Sequence, residues 1–149
     1  MLMLLFHVGE ERFACDCEYI TEVIPRVPLR AISHTSEGVT GILNYAGQPV
    51  PVLDFSQLCA GRESSEHLST RIILFSRTTK DKDEQQTLGM MAERVTNTLH
   101  KKKSDFSNSG VKYRDASYLG GVNNDQSGII HEVLVDELFH LVSQRMNNE

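Results

Sequence analysis

The chain repeats itself. Leu4-Leu5-Phe6 matches Ile73-Leu74-Phe75 at an offset of 69 residues, and Phe13 to Thr21 matches Leu88 to Thr96 at an offset of 75. Within the second match Glu18 falls opposite Glu93, and Thr21 opposite Thr96. Gly41, the hairpin after it and Asp54 correspond to Gly121, its hairpin and Asp136 at offsets of 80 to 82. Offsets that grow along the chain are what longer loops in a second copy produce. Two similar five-stranded units of about 70 residues each follow, and units that small are marginal alone. They should therefore pack together and share a boundary, and a boundary between two barrels makes a groove.

The strand pattern supports this reading. Met1 to His7 is apolar, Gly9-Glu10-Glu11 supplies a turn, and Phe13, Cys15 and Cys17 alternate with Ala14 and Asp16. Ile20, Val23 and Ile24 carry helix-like spacing until Pro25 and Pro28 interrupt it. Gly38 to Asn44 reads as a strand and Tyr45 to Gln48 as a hairpin loop, with Pro49 to Leu53 as its partner. Prolines at positions 49 and 51 remove two N–H donors from one side of that strand, so it should lie at an edge or beside a bulge. Asp54 is a good N-cap for a short helix through Leu58.

Ala60 to Thr70 is polar and reads as a linker. Arg71 to Ser76 is a strand, Arg77 to Gln86 a charged loop, and Leu88 to Leu99 a strand again. His100 to Ser117 is polar, with Lys101-Lys102-Lys103 inside it. Leu119 to Asn123 and Ile129 to Val135 form a second hairpin around Asn124 to Gly128. Asp136 can cap a final helix whose Leu138, Leu141, Val142 and Met146 share one face. The expected fold is mostly β: a single domain over 1–149 made of two tandem SH3-like β-barrel subdomains, approximately 1–65 and 66–149, with short helices and a C-terminal helix.

Composition removes several function classes. The 149 residues carry a formal charge of -5, which argues against broad electrostatic capture of nucleic acid, and zero Trp with 7% aromatics leaves few base-stacking platforms. The longest apolar run, Met1 to Phe6, is far short of the roughly 20 residues that span a bilayer. No signal peptide and no membrane insertion are expected from it. Three cysteines are an odd number with the closest pair two residues apart, which argues against a disulfide framework and for a reducing cytoplasm.

Catalysis finds no candidate. The six histidines lack zinc-ligand spacing, and His131-Glu132 is followed by no second His that would complete an H-E-x-x-H motif. Cys15 and Cys17 extend the apolar face begun by Phe13, which suits core packing. Gly120-Gly121 has no phosphate-loop continuation, and no G-x-S-x-G elbow occurs. The apolar set Ile20, Val23, Ile24, Val39 and Ile42 has two readings: all of it fills the first barrel, or the limited interior of a small barrel leaves part of it exposed for a partner.

The run Gly9 to Ala14 leading to Ile20-Thr21-Glu22-Val23-Ile24, followed by Gly41-x-x-Asn44-x-x-Gly47-x-x-x-Pro51-x-x-Asp54, resembles the CheW family. The second half is similar through Leu88 to Val95 and Leu119 to Asp136. The resemblance implies paired SH3-like barrels, no catalysis and no cofactor. It implies an adaptor between the regulatory domain of a CheA-type histidine kinase and the cytoplasmic tip of methyl-accepting chemoreceptors. Carried over by position, the partner-binding candidates are Ile20, Glu22, Val23, Gly41, Asn44, Tyr45, Ala46 and Gly47. Ala46 departs from the family pattern, which usually places Arg at that turn; Tyr45 offers a large amphipathic contact beside it. Such a departure fits a divergent branch, such as the coupling proteins of Wsp-type surface-sensing systems. The competing expectation is a small β-barrel module for nucleic acid or a small ligand.

Overall fold

The computed structural model describes residues 1–31, 39–79, 84–111 and 116–147. Nine strands and two helices occur in the order β1 (Leu2–Val8), β2 (Glu11–Asp16), β3 (Ile20–Pro25), β4 (Val39–Tyr45), β5 (Gln48–Asp54), α1 (Phe55–Ala60), β6 (Arg71–Thr78), β7 (Gln85–His100), β8 (Leu119–Asp125), β9 (Gly128–Val133) and α2 (Val135–Asn147). Gly38, expected to open a strand, lies outside the described residues.

The repeat is present, and its two copies exchange strands. β3 pairs antiparallel with β6, and β5 runs parallel to β7 through Val52, Leu53 and Asp54. In the other direction β1 pairs antiparallel with the end of β7, and β9 runs parallel to β2. Each repeat thus lends its opening hairpin, β1–β2 or β6–β7, to the other. Strand pairing crosses the division expected near residue 65, and each five-stranded set takes strands from both sides of it. β7 serves both sets: Gln85 to Ala92 pair with β6, and Glu93 and Asn97 to His100 pair with β1. The order β3-β6-β7-β1-β2-β9-β8 is open, with β3 and β8 at its ends. The SH3-like halves are therefore not closed barrels.

This exchange explains the near-continuous apolar character of β1 and β6, because strands buried on both faces lose the polar alternation. Ile73 and Phe75 of β6 join Leu4, Phe6, Phe13, Phe55, Leu88 and Leu138 in the central core, while Ile72 and Leu74 face Leu43, Val50, Val52 and Met91. Met3, Ala14 and Ile130 fill a smaller core in the other set. Phe55 makes edge-on contacts with Phe6 and Phe13 at centroid distances of 5.0 and 4.9 Å, so α1 is fastened to the exchanged hairpin.

Several local expectations are corrected. Cys17–Tyr19 is a single 3₁₀ turn capped by Asp16, and the residues from Ile20 onward form β3, not a helix. A register shift between Ile20 and Glu22 moves the alternation by one residue, which puts Ile20 and Val23 against the same core and mimics helical spacing. The 60–70 segment is no loose linker: Ser64 is buried, and its N–H and Oγ reach Asp54 at 2.8 and 2.5 Å. Asp54 also caps α1 by accepting from Ser56 and Gln57 N–H groups, as expected. Asp136 is not a cap. The Leu134 carbonyl begins α2 by accepting from Glu137 and Leu138, which places Asp136 inside the first turn. Leu138 and Val142 are buried on the inner face of α2, whereas the side chain of Met146 lies outside the described residues.

Candidate functional site

Pro49 and Pro51 shape the surface at β3 and the β4–β5 hairpin. β5 pairs with β4 from Gln48 to Leu53, but its ladder with β7 begins only at Val52, just past the second proline. The missing N–H donors therefore face the unpaired side. Tyr45 pairs with Gln48, leaving a two-residue turn of Ala46 and Gly47 at φ +51° and +82°. Positive φ at both central residues is the type I′ geometry that follows the strand twist. Asn44 Oδ1 accepts from the Gly47 N–H at 3.1 Å and braces the turn.

The structure divides the eight candidate residues into four groups. Glu22 and Tyr45 are brought together: the Tyr45 hydroxyl donates to Glu22 Oε2, bridging β3 and the hairpin in space. That bond pushes the Tyr45 phenol above its ordinary pKa, because ionisation would place an anion against the carboxylate. Ile20 and Val23 are half-buried against the central core, on the other face of β3 from Tyr45, which packs with Ile24 against the Leu43–Leu74 cluster. Asn44, Ala46 and Gly47 form the exposed turn. Gly41 stands apart, since it is buried and a Cβ there would lie 2.7 Å from the Arg30 carbonyl oxygen and 2.9 Å from Leu29 Cβ. Its part is to admit the backbone bridge between Arg30 and Ile42, closed by hydrogen bonds of 2.9 and 2.8 Å.

That bridge adds Pro28, Arg30 and Pro49, which sequence reasoning missed as site residues, to Ile42, Asn44 and Gly47. Pro28, Arg30, Ile42, Asn44, Gly47 and Pro49 line an open groove of about 440 Å³ along the hairpin. The signal was Pro25 with Pro28, which favour extended backbone as well as ending a helix. The second repeat has a counterpart of about 570 Å³, whose lining includes Phe106, Ser107, Gly121 and Leu134.

Among the described residues no group of three His, Cys, Asp or Glu could hold a metal ion. Cys15, Cys17 and Cys59 are free thiols, and burial pushes all three away from the reactive thiolate. What remains is amphipathic surface on a rigid strand framework.

The CheW-like domain model matches residues 2–142. The chain belongs to the CheW-like family. Its fold is similar to that of the scaffolding protein TtCheW from Thermoanaerobacter tengcongensis in its crystal structure, with a TM-score of 0.75, 20% identity, and coverage of 89% of this chain and 82% of that one. No curated protein matches it. CheW-like membership gives the chain a scaffold or adaptor role in chemotaxis signalling. Among the described residues, no helix of this CheW-like chain is long and apolar enough to cross a membrane.

Proposed function

We propose that this CheW-like chain is a non-catalytic adaptor of the cytoplasm that couples chemoreceptors to a CheA-type histidine kinase. In this reading β3 and the β4–β5 hairpin form docking surface for the kinase regulatory domain and the receptor tip. Ile20, Glu22, Val23, Tyr45 and Ala46 supply the contacts, and Asn44 and Gly47 hold the turn in shape. Gly41 contributes by positioning the hairpin rather than by touching a partner. The observation that supports this most directly is the Glu22–Tyr45 hydrogen bond, with Tyr45 and half-buried Ile24 packed against the same core cluster. It preorganises an aromatic side chain next to apolar area on a strand at the end of the sheet. Docking of this kind needs contact area and polar complementarity rather than a reactive group.

The test is co-elution of the full chain with a CheA-type regulatory domain on a sizing column, repeated with Glu22→Ala. A complex that weakens in the variant supports the reading. Free elution of both proteins at tens of micromolar, about the weak end of useful affinity for such complexes, overturns it.

A further inference from the structure

Where β7 passes from one five-stranded set to the other, Arg94 adopts left-handed backbone at φ +48°. That conformation is uncommon outside glycine, and such residues cluster at functional sites. Its side chain lines a cavity of about 330 Å³ together with Arg62, Ser65, His67, Thr70 and Glu93. The walls are built. Val95 N–H donates to the Ser69 carbonyl and Thr70 N–H to the His67 carbonyl, both at 3.0 Å, which clamps the 65–70 loop against β7.

Donors outnumber acceptors in this cavity. The Arg94 guanidinium donates once, to the Gly9 carbonyl, and keeps its remaining N–H groups for other acceptors. Glu93 is the one carboxylate, and it is already engaged: it accepts from Ser56 Oγ at 3.1 Å and Ser65 N–H at 2.9 Å, with Arg62 Nη1 3.6 Å away. Ser69 N–H donates to His67 Nδ1 at 3.1 Å, which leaves Nε2 to carry a proton as a further donor. Two guanidiniums against one carboxylate leave a surplus positive charge on a chain whose net charge is -5. Ser65 and Thr70 hydroxyls, 3.4 Å apart, complete a ring of polar groups.

We propose that this cavity binds a phosphate-type oxyanion, with Arg94 and Arg62 as its cationic contacts and His67 Nε2 as a further donor. Forked guanidinium donors match tetrahedral oxyanions better than a single ammonium does. The same chemistry serves a free phosphate ion and a phosphoryl group carried on a protein side chain.

Amide chemical shifts of the full chain, followed at constant ionic strength, test this with inorganic phosphate, O-phosphoserine and acetate. Saturable shifts confined to Ser65, Ser69, Thr70 and Arg94 are expected with the phosphates, and much weaker ones with acetate. Tighter binding of O-phosphoserine identifies a side-chain source, and tighter binding of inorganic phosphate the free ion. Arg94→Gly suits the left-handed backbone while removing the charge, and should weaken binding about tenfold without lowering the melting midpoint. His67→Ala, on an exposed loop, should also weaken binding and serves if Arg94→Gly disturbs the fold. Absence of saturation, acetate binding as well as phosphate, or unchanged affinity in both variants overturns the proposal.

Discussion

Gly41 and Gly121 hold the same place in the two repeats, each beneath a backbone bridge that a side chain would block. The Arg30–Ile42 bridge crosses the first glycine and the Ser107–Val122 bridge the second. A Cβ would meet the Arg30 carbonyl oxygen at 2.7 Å in one case and that of Ser107 at 2.9 Å in the other. Both close contacts are backbone, which cannot swing aside as a side-chain tip can.

Gly41→Ala should therefore cost about 1–3 kcal/mol by overpacking, and Gly121→Ala a similar amount. Urea denaturation of each variant measures this. A loss confined to one of the two would show that the bridges are not equivalent constraints.

Ala46 carries a Cβ at φ +51°, in a turn that favours Asn-Gly or Gly-Gly. Ala46→Asn should stabilise the chain by about 0.5–1 kcal/mol, seen as a higher melting midpoint.

Ala46→Arg also keeps a Cβ in that turn and should leave stability near that of the parent. It restores the residue type usual in the family, and should tighten binding to a chemoreceptor–kinase pair by about tenfold or more. A titration with unchanged or weaker affinity would show that the turn is not contact surface.

Arg12 joins β2 to the β8–β9 turn through a forked pair with Asp125, at 2.7 and 3.1 Å, with Lys101 3.6 Å away. The hydrogen bonds and charge of Arg12 hold the Asp125 carboxyl down at about 2. A depressed folded-state pKa gives stability that is present above the unfolded value and lost as pH falls through the folded one. Asp125→Asn should therefore lower stability at neutral pH by about 1 kcal/mol, and its deficit should shrink between pH 3.8 and about 2. Acid denaturation curves of the two proteins should converge in that window.

Glu22→Gln removes the negative charge that opposes ionisation of Tyr45. The Tyr45 phenol should then titrate at lower pH than in the parent, as followed by NMR of the ring. An unmoved titration would mean that the hydroxyl does not rest on Glu22 in solution.

Much of the strand inventory was legible because turns and prolines announce it. Pro49 and Pro51 marked the side of β5 that carries no ladder, and Asp54 marked the start of α1. Strand exchange was not legible, since an apolar run such as Ile72 to Phe75 states that both faces are buried but not by which neighbours. The β3 bulge disguised a strand as a helix turn by shifting one residue of alternation. Asp136 looked like a cap from its position before an apolar helix face. Its carboxylate is instead held by Tyr19 at 2.6 Å and Arg77 at 2.9 Å, partners distant in sequence. For the candidate site, family resemblance located the hairpin, but the Glu22–Tyr45 contact spans 23 positions with no local motif to announce it.

Strand exchange has a consequence for how the protein is made. β3 finds its ladder only when β6 has been synthesised, and β2 waits for β9 near the other end. A ribosome that has delivered only the first sixty residues holds apolar strands with half their neighbours missing. Such late, long-range closure slows folding and leaves adhesive edges uncovered in the interval. Early truncation should therefore yield sticky, aggregation-prone fragments rather than a smaller working protein.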